Sequence, residues 1–312
     1  MNKDYCPDVS AVLVTYNPNM EVLQMTIQAV LDQVADIFIV DNGSSNISPN
    51  WLDKFENQAN TKLYLLPQEK NLGIGSAHNI GIKLAIAQGA KFILLLDQDS
   101  QVGAEMVIKL HTAYTALIEK GLQVAAIGPQ YHDADNGTLS QFVKIERGRF
   151  IFSEYVDNSD IVDTDFLVSS GSLLPVAALD LVGLMDEGLF IDLVDTEWCL
   201  RAKAKGLQAF GLRGAVMAHS LGEQRREVCW LFRKRIVPFH KHFRYYYMFR
   251  NSVLLSRRSY IPWGWKIAEI TRCLKTAIFF GWIAEDRWQR LQMMYFGVLD
   301  GLKGISGKRA DL

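Results

Sequence analysis

The chain has 312 residues, of which 49% are hydrophobic and 21% charged. That is apolar material for one large or two modest ordered domains, and too much for a disordered tail. Net charge is only −1, but thirteen Lys/Arg between Arg225 and Lys275 face two acids, Glu227 and Glu269, so this segment carries +11. Such asymmetry assigns the C-terminal third a separate surface task.

The N-terminal stretch MNKDYCPDVSAVLVTYN lacks a basic region followed by a long apolar run, which argues against a secretory signal. No apolar run of about 18 residues occurs, so no transmembrane helix is expected. The scattered Cys6, Cys199, Cys229 and Cys273 form no CxxC pair. They are expected as reduced thiols in a cytoplasmic protein rather than as a zinc site or disulfide frame.

Residues 9–16, VSAVLVTY, predict a buried strand. Met20, Leu23, Ile27, Val30, Leu31 and Val34 follow helical spacing. Strands are predicted at 37–41 and 62–66, a helix at 76–88 stopped by Gly89, and a strand at 92–97. A helix through Val107, Leu110, Tyr114, Leu117 and Ile118 ends at Gly121, and VAAIG (124–128) follows as a strand. Strands alternating with crossover helices imply a mostly parallel α/β sheet, with ligands beyond the carboxyl ends of its strands. Thr15 to Asn17, Asp41 to Ser44 and Asp97 to Ser100 all fall at that edge. Further on, 166–179 predicts a strand, a small-residue turn and a helix start. Residues 188–206 predict an apolar strand, an acidic turn and a helix closed by Gly206. After VMAHSLGE the texture turns aromatic and basic.

The stretch ILLLDQDS (93–100) places Asp97 and Asp99 one residue apart at the exit of a hydrophobic strand. A polar turn explains them without chemistry; a divalent cation would convert their repulsion into coordination. A calcium loop starting at Asp97 fails, because its twelfth position holds Ile108. A phosphatase with Asp97 as nucleophile remains, as does a nucleotide-diphosphate site in which a cation neutralises the leaving group. NLGIGSAHNIG (71–81) could cradle phosphates or simply turn the chain into a helix; His78 at the third glycine position rules out a dinucleotide fingerprint. DLVDTEW gathers Asp192, Asp195 and Glu197 at a helix mouth, where carboxylates also serve as caps. His219, in AHSLGE, is by itself as consistent with a packed histidine as with a ligand.

Taken in order, VTYN, VDNGS, NLGIGSAHNIG, LLDQDS and DLVDTEWCLRAKAKG resemble the family 2 glycosyltransferases of GT-A fold, over roughly residues 9–222. FIDLVDTEWCLRAKAKG with the later HSLGE and YYYMFRN is similar to bacterial dTDP-rhamnosyltransferases of O-antigen and polysaccharide assembly. The resemblance implies a Rossmann-like GT-A sheet flanked by helices over 1–222, and a helical basic/aromatic C-terminal region over 223–312. It implies that Thr15, Asn17 and Asp41 hold the nucleotide base and ribose, that Asn71 and Gly73 line the nucleotide pocket, and that Asp97 touches ribose or metal. Asp99 would ligate Mg²⁺ or Mn²⁺, His219 would be an additional ligand, and Asp195 would be the catalytic base. The base is often preceded by glutamate in this family; here Val194 stands there. The QxxRW signature of processive synthases is absent, which favours single-sugar transfer.

The expected reaction is inverting transfer of L-rhamnose from dTDP-L-rhamnose to a lipid-linked saccharide acceptor, in assembly of a cell-surface polysaccharide such as O-antigen lipopolysaccharide. Rivals are the phosphatase, a sugar-nucleotide-forming nucleotidyltransferase for which no basic glycine-rich signature is found, and a non-catalytic membrane-surface scaffold. The basic and aromatic Arg225–Lys275 segment is expected to attach the protein peripherally to the anionic inner face of the cell membrane, without a span. Nucleic acid could attract such a segment, but the motifs give no reason for one, and no nucleic-acid partner is expected.

Overall fold

The structure is a computed structural model describing residues 4–55, 61–133, 139–153, 160–219, 224–230 and 233–310. Its N-terminal part runs β1 (Cys6–Thr15), α1 (Met20–Val30), β2 (Val34–Asp41), β3 (Lys62–Pro67), α2 (Ile74–Ala87), β4 (Phe92–Asp97), β5 (Ser100–Val102) and α3 (Met106–Glu119). The middle contains β6 (Val124–Asp133), β7 (Val143–Glu146), β8 (Arg149–Phe152), β9 (Ile161–Thr164), β10 (Leu173–Pro175), α4 (Val176–Val182), α5 (Val194–Ala204) and β11 (Gln208–His219). A hairpin, β12 (Gln224–Trp230) and β13 (Arg233–Phe239), precedes α6 (His242–Ser256), α7 (Trp263–Ile283) and α8 (Arg287–Lys303).

The main sheet follows the order β3-β2-β1-β4-β10-β6-β11-β5, with β9 added on β11. β3, β2, β1 and β4 are parallel, as are β6 and β11; β10 and β5 run against their neighbours. Alternation along the central strands builds two cores. Val12 and Val14 of β1 and Ile93 and Leu95 of β4 face α2, α4 and α5. Ala11 and Leu13, with Leu94 and Leu96, face α1 and α3. A strand whose successive side chains point to opposite faces must be apolar throughout when both faces are covered. That is why VLV and ILLL are continuous apolar runs.

Several expected boundaries move. The helical spacing through Val34 overshoots: α1 stops at Val30, and Val34 opens β2. Of 166–179, only Leu173–Pro175 pair as a strand. The apolar strand expected at the start of 188–206 does not form; Glu187–Leu189 make a 3-10 turn, and a loop leads to α5. Asn251 explains the difference, because its side-chain amide takes up the carbonyls of Leu189, Ile191 and Asp192 that a strand would give to a neighbour.

The C-terminal helices are present as expected, but a β-hairpin rather than a helix opens that region. Its aromatic residues divide: Trp263, Trp282, Trp288 and Tyr295 are exposed, whereas those of α6 are largely internal. Tyr245, Tyr246, Tyr247, Phe249 and Trp265 are buried, with Tyr245, Phe249, Phe280 and Met294 forming a core between α6, α7 and α8. Helices α6 and α8 approach closely because α8 presents Gly297, where a Cβ would come within 2.4 Å of the Tyr246 carbonyl oxygen. Trp230 and Phe232 lie outside the side chains described.

Candidate active site

The carboxyl ends of β1, β2 and β4 converge, and each delivers its expected residues. Thr15 ends β1 and donates its hydroxyl to Asp41 Oδ1 at 3.0 Å. Asp41 ends β2, is buried, and also accepts Ser44 N at 3.2 Å on Oδ2 and the Ser44 hydroxyl on Oδ1. Asn17, at φ 44, follows β1 and ties the same turn together: its backbone N donates to Ser44 Oγ at 2.8 Å and its Oδ1 accepts Ser45 N at 3.0 Å. Thr15, Asn17 and Asp41 thus form one connected polar wall.

Asn71 and Gly73 join that wall through Asn42, a buried residue of the VDNGS stretch with no expected role of its own. Asn42 Nδ2 donates to Asn71 Oδ1 at 3.1 Å and its Oδ1 accepts Leu72 N at 2.8 Å. Asn71 Oδ1 in turn accepts Gly73 N at 2.9 Å. Gly73 has φ +89, and a Cβ there would sit 2.6 Å from the Phe190 carbonyl oxygen. The glycine is what lets the start of α2 press against the loop leading to α5, with Ile74 N donating to Phe190 O at 2.7 Å.

Asp97 and Asp99 lie at the turn between β4 and β5, half-buried. The backbone N of Asp97 donates to Ser100 Oγ at 3.0 Å and Ser170 Oγ at 3.3 Å, and the two serine hydroxyls bond each other. Gln98 closes the gap to β1, its Oε1 accepting Tyr16 N at 2.8 Å. The main chain of His219, at the end of β11, stands opposite Ser100 of β5. Its side chain lies outside those described.

Asp195 sits in the first turn of α5, reached through a loop with three non-glycine residues at positive φ: Phe190 at 64°, Asp192 at 64° and Leu193 at 62°. Such residues store strain of roughly 1–3 kcal/mol each and persist only where their surroundings hold them. The holding comes from α6. Asn251 Nδ2 is 2.8 Å from both Ile191 O and Asp192 O, Arg250 Nη2 donates to Leu189 O at 2.8 Å, and Arg244 Nη2 donates to Asp192 Oδ1 at 2.6 Å. Burial disfavours the charge on Arg244, yet Asp192 more than offsets it and raises the guanidinium pKa. Arg244, expected to meet lipid from its place in a basic run, is therefore ion-paired inside the site.

The Asp195 carboxylate accepts Thr196 N at 2.6 Å on Oδ1 and Ser169 N at 3.2 Å on Oδ2, and with Leu95, Leu167, Met185 and Trp198 it lines a small cavity. Burial raises its pKa; the two backbone donors oppose this and the nearby charge of Asp192 adds to it. Tyr131 of β6 brings the two acidic motifs to one place. Its hydroxyl donates to Ser170 O, and its pKa is driven well above the ordinary phenol value by burial and then by the charges of Asp97 and Asp195. Tyr131, Ser169 and the Arg244–Arg250–Asn251 set received no site role from the sequence; Asn42 fell within VDNGS without a role of its own, and FRN marked Arg250 and Asn251 only as part of a motif.

A divalent cation fits these residues as a partner shared with substrate. Among the described residues no three His, Cys, Asp or Glu side chains gather into a closed cage. Cations that retain water and take substrate phosphates need only one or two carboxylates, however, and Asp97 and Asp99 supply hard oxygen donors at the strand edge.

A polar wall at the ends of parallel strands, a DxD turn and a half-buried carboxylate across from it define an α/β enzyme of GT-A type. The chain belongs to glycosyl transferase family 2, whose sequence model matches residues 10–179. It is therefore a glycosyltransferase by family, and the phosphatase reading falls away. Over 301 residues, 96% of this chain and 97% of the relative, it is 29% identical to the dTDP-rhamnosyl transferase RfbF of Shigella flexneri. Its fold is similar to that of S. aureus TarS 1–349 in complex with UDP-GlcNAc, with a TM-score of 0.54 and 14% identity over 95% of this chain and 92% of that one. It is also similar to GalNAc-T7 with UDP, GalNAc and Mn²⁺, with a TM-score of 0.56 and 15% identity. That match covers 70% of this chain and 44% of GalNAc-T7, so the chain spans less than half of that protein.

Proposed function

We propose that this glycosyltransferase moves L-rhamnose from dTDP-L-rhamnose, with inversion, to a lipid-linked saccharide acceptor in cell-surface polysaccharide assembly of the O-antigen type. It would do so at the cytoplasmic face of the membrane. The observation that carries the chemistry is the convergence of Asp97 and Asp195 on two adjacent residues, Ser169 N donating to Asp195 Oδ2 at 3.2 Å and Asp97 N donating to Ser170 Oγ at 3.3 Å. The near full-length likeness to a dTDP-rhamnosyl transferase supports the donor. Residues 1–222 are assigned to catalysis and 223–312 to the acceptor and membrane side, with α6 also holding the loop that leads to Asp195.

In this reading the Thr15–Asn17–Asp41 wall holds the nucleoside. Asp41 accepts one bond on Oδ2 and two on Oδ1 from Ser44 and Thr15, and a carboxylate offers about four acceptor sites. The remaining Oδ2 position suits the imide N–H of thymine. Asn71 and Gly73 border the pocket beside it. Asp97 and Asp99, with His219 as an additional ligand, would hold Mg²⁺ or Mn²⁺, which when bound neutralises charge on the departing diphosphate.

Asp195 takes the proton of the acceptor hydroxyl as that oxygen attacks the anomeric carbon. Its raised pKa makes it a stronger base than a solvated aspartate, and the Ser169 and Thr196 amides fix its orientation. Attack from the face opposite the leaving diphosphate inverts the anomeric centre. The test is a panel of sugar nucleotides assayed for nucleoside-diphosphate release with metal and acceptor present. Turnover with dTDP-L-rhamnose is expected; turnover with a UDP-hexose and none with dTDP-L-rhamnose would refute the donor.

A further inference from the structure

Helix α7 carries on its outer face an apolar stripe that, apart from the β7–β8 turn beside Ile267, no element among the described residues covers. Trp263, Ile267, Ile270, Leu274, Ile278 and Trp282 are 76, 54, 53, 60, 63 and 78% exposed. Their spacing of three or four residues keeps them on one side of the helix, within an arc of roughly 120°, and from end to end they span about 28 Å. Isolated exposed apolar residues are ordinary, whereas six in one continuous line mark a contact surface. Among the described residues no helix is long and apolar enough to cross a membrane, so the stripe is not a span.

The charges around the stripe indicate what covers it. Lys266 and Lys275 fall on its two opposite flanks, and Lys266 Nζ lies 4.9 Å from the Trp263 ring centroid. The single acid of α7, Glu269, is buried and bonded to Arg272 and Ser252. At the N-terminal end the β7–β8 turn lies against Ile267, a Cβ at Gly148 falling 2.9 Å from Ile267 Cγ2, and this turn exposes Arg147 and Arg149 beside one acid, Glu146. A second copy of the chain docked through α7 would offer these cations no acid from its own α7. An anionic bilayer supplies both the apolar layer and the negative headgroups, with tryptophans settling at the boundary and lysines reaching up to phosphate.

We propose that α7 lies in the plane of an anionic lipid surface, its Trp263–Trp282 stripe inserted to the acyl boundary and Lys266, Lys275, Arg147 and Arg149 at headgroup level. The inference rests on the peripheral location proposed above and relocates the contact: the helix makes it, rather than the aromatic rings of α6, which are core. It also gives the protein a defined orientation relative to a lipid-borne acceptor.

The experiment is sedimentation of the full chain with phosphatidylglycerol/phosphatidylethanolamine vesicles and with phosphatidylcholine vesicles. Wild type is compared with the triple variant Ile270→Gln, Leu274→Gln, Ile278→Gln. All three side chains are exposed, so thermal unfolding and hydrolysis of soluble donor stay unchanged. Wild type is expected to bind the anionic vesicles and show tryptophan quenching by brominated acyl chains, and the triple variant to bind about a hundredfold more weakly or less. If wild type and variant bind equally, the α7 assignment is overturned while peripheral attachment stands. If wild type ignores anionic vesicles at low salt, both fail. If wild type self-associates without lipid and the variant does not, α7 is a subunit interface and the lipid assignment is overturned. Donor turnover is read separately, so none of these outcomes bears on the reaction itself.

Discussion

Asn251→Ala tests whether α6 positions the turn that carries Asp195, the proposed base. Asn251 is fully buried; its Oδ1 accepts Arg250 Nε and Nη2 at 3.0 and 2.9 Å, and its Nδ2 contacts the carbonyls of Leu189, Ile191 and Asp192. Leu189 O keeps Ile191 N and Arg250 Nη2, both at 2.8 Å, so truncation strips a donor from two carbonyls. A buried acceptor left unpaired costs about 1–3 kcal/mol; Ile191 and Asp192 are half-buried, which puts the loss at the lower end, roughly 2–3 kcal/mol. A loss near 3 kcal/mol lowers Tm by about 5 °C in a chain of this size. The same contacts hold three strained residues at positive φ, and with the clamp gone that strain relaxes by moving Asp195. A displacement near 1 Å costs about a hundredfold in rate. The assay is kcat with dTDP-L-rhamnose and acceptor, measured well below the variant's Tm, alongside a melting curve. Donor affinity stays close to wild type, because the Thr15–Asp41 wall is untouched. A variant that melts lower but keeps kcat within about threefold of wild type would refute the positioning role.

Asp99→Ala should abolish metal-dependent donor binding and transfer while leaving the melting temperature near wild type, and Asp97→Ala should also be severe; isothermal titration with donor and metal checks both. Asp195→Asn should lower kcat by about 10²–10⁴ with donor binding intact. Because burial raises the Asp195 pKa, its proton is bound more tightly in the folded state. Stability from this group is therefore present at low pH and lost as pH rises through the folded pKa. The melting temperature of Asp195→Asn relative to wild type should accordingly rise as pH increases from acid to neutral, on top of a constant loss from the one backbone N–H, of Ser169 or Thr196, that the amide NH2 cannot accept, and the wild-type rate should fall as pH drops through the raised pKa. Tyr131→Phe removes the donor to Ser170 O but no charge; a modest loss of kcat is expected together with a shift in the acidic limb of the pH–rate profile, and an unshifted limb would separate Tyr131 from the two carboxylates.

Local pattern was enough for much of this protein. Strand-to-helix alternation, the continuous apolar runs of β1 and β4, and polar residues at their exits determined an α/β sheet with its site at the carboxyl edge. Thr15, Asp41 and Asp97 lie at that edge because each ends a strand whose apolar period can be read directly. Asp195 was legible as a carboxylate opening a helix. The sequence could not show what holds that carboxylate in place. GLFIDL has the composition of a strand, and only the carbonyl contacts of Asn251, about 60 residues away, make it a strained loop. The run RYYYMFRN looks like a basic aromatic surface until packing divides it. Tyr245, Tyr246 and Tyr247 go inward, Arg244 finds Asp192, and Arg250 and Asn251 find the loop. Conversely, the exposed stripe of α7 has the same amphipathic spacing as a core-facing helix. Spacing sets which residues share a face; whether that face is covered depends on neighbours distant in sequence, and that is decided only when the chain has folded.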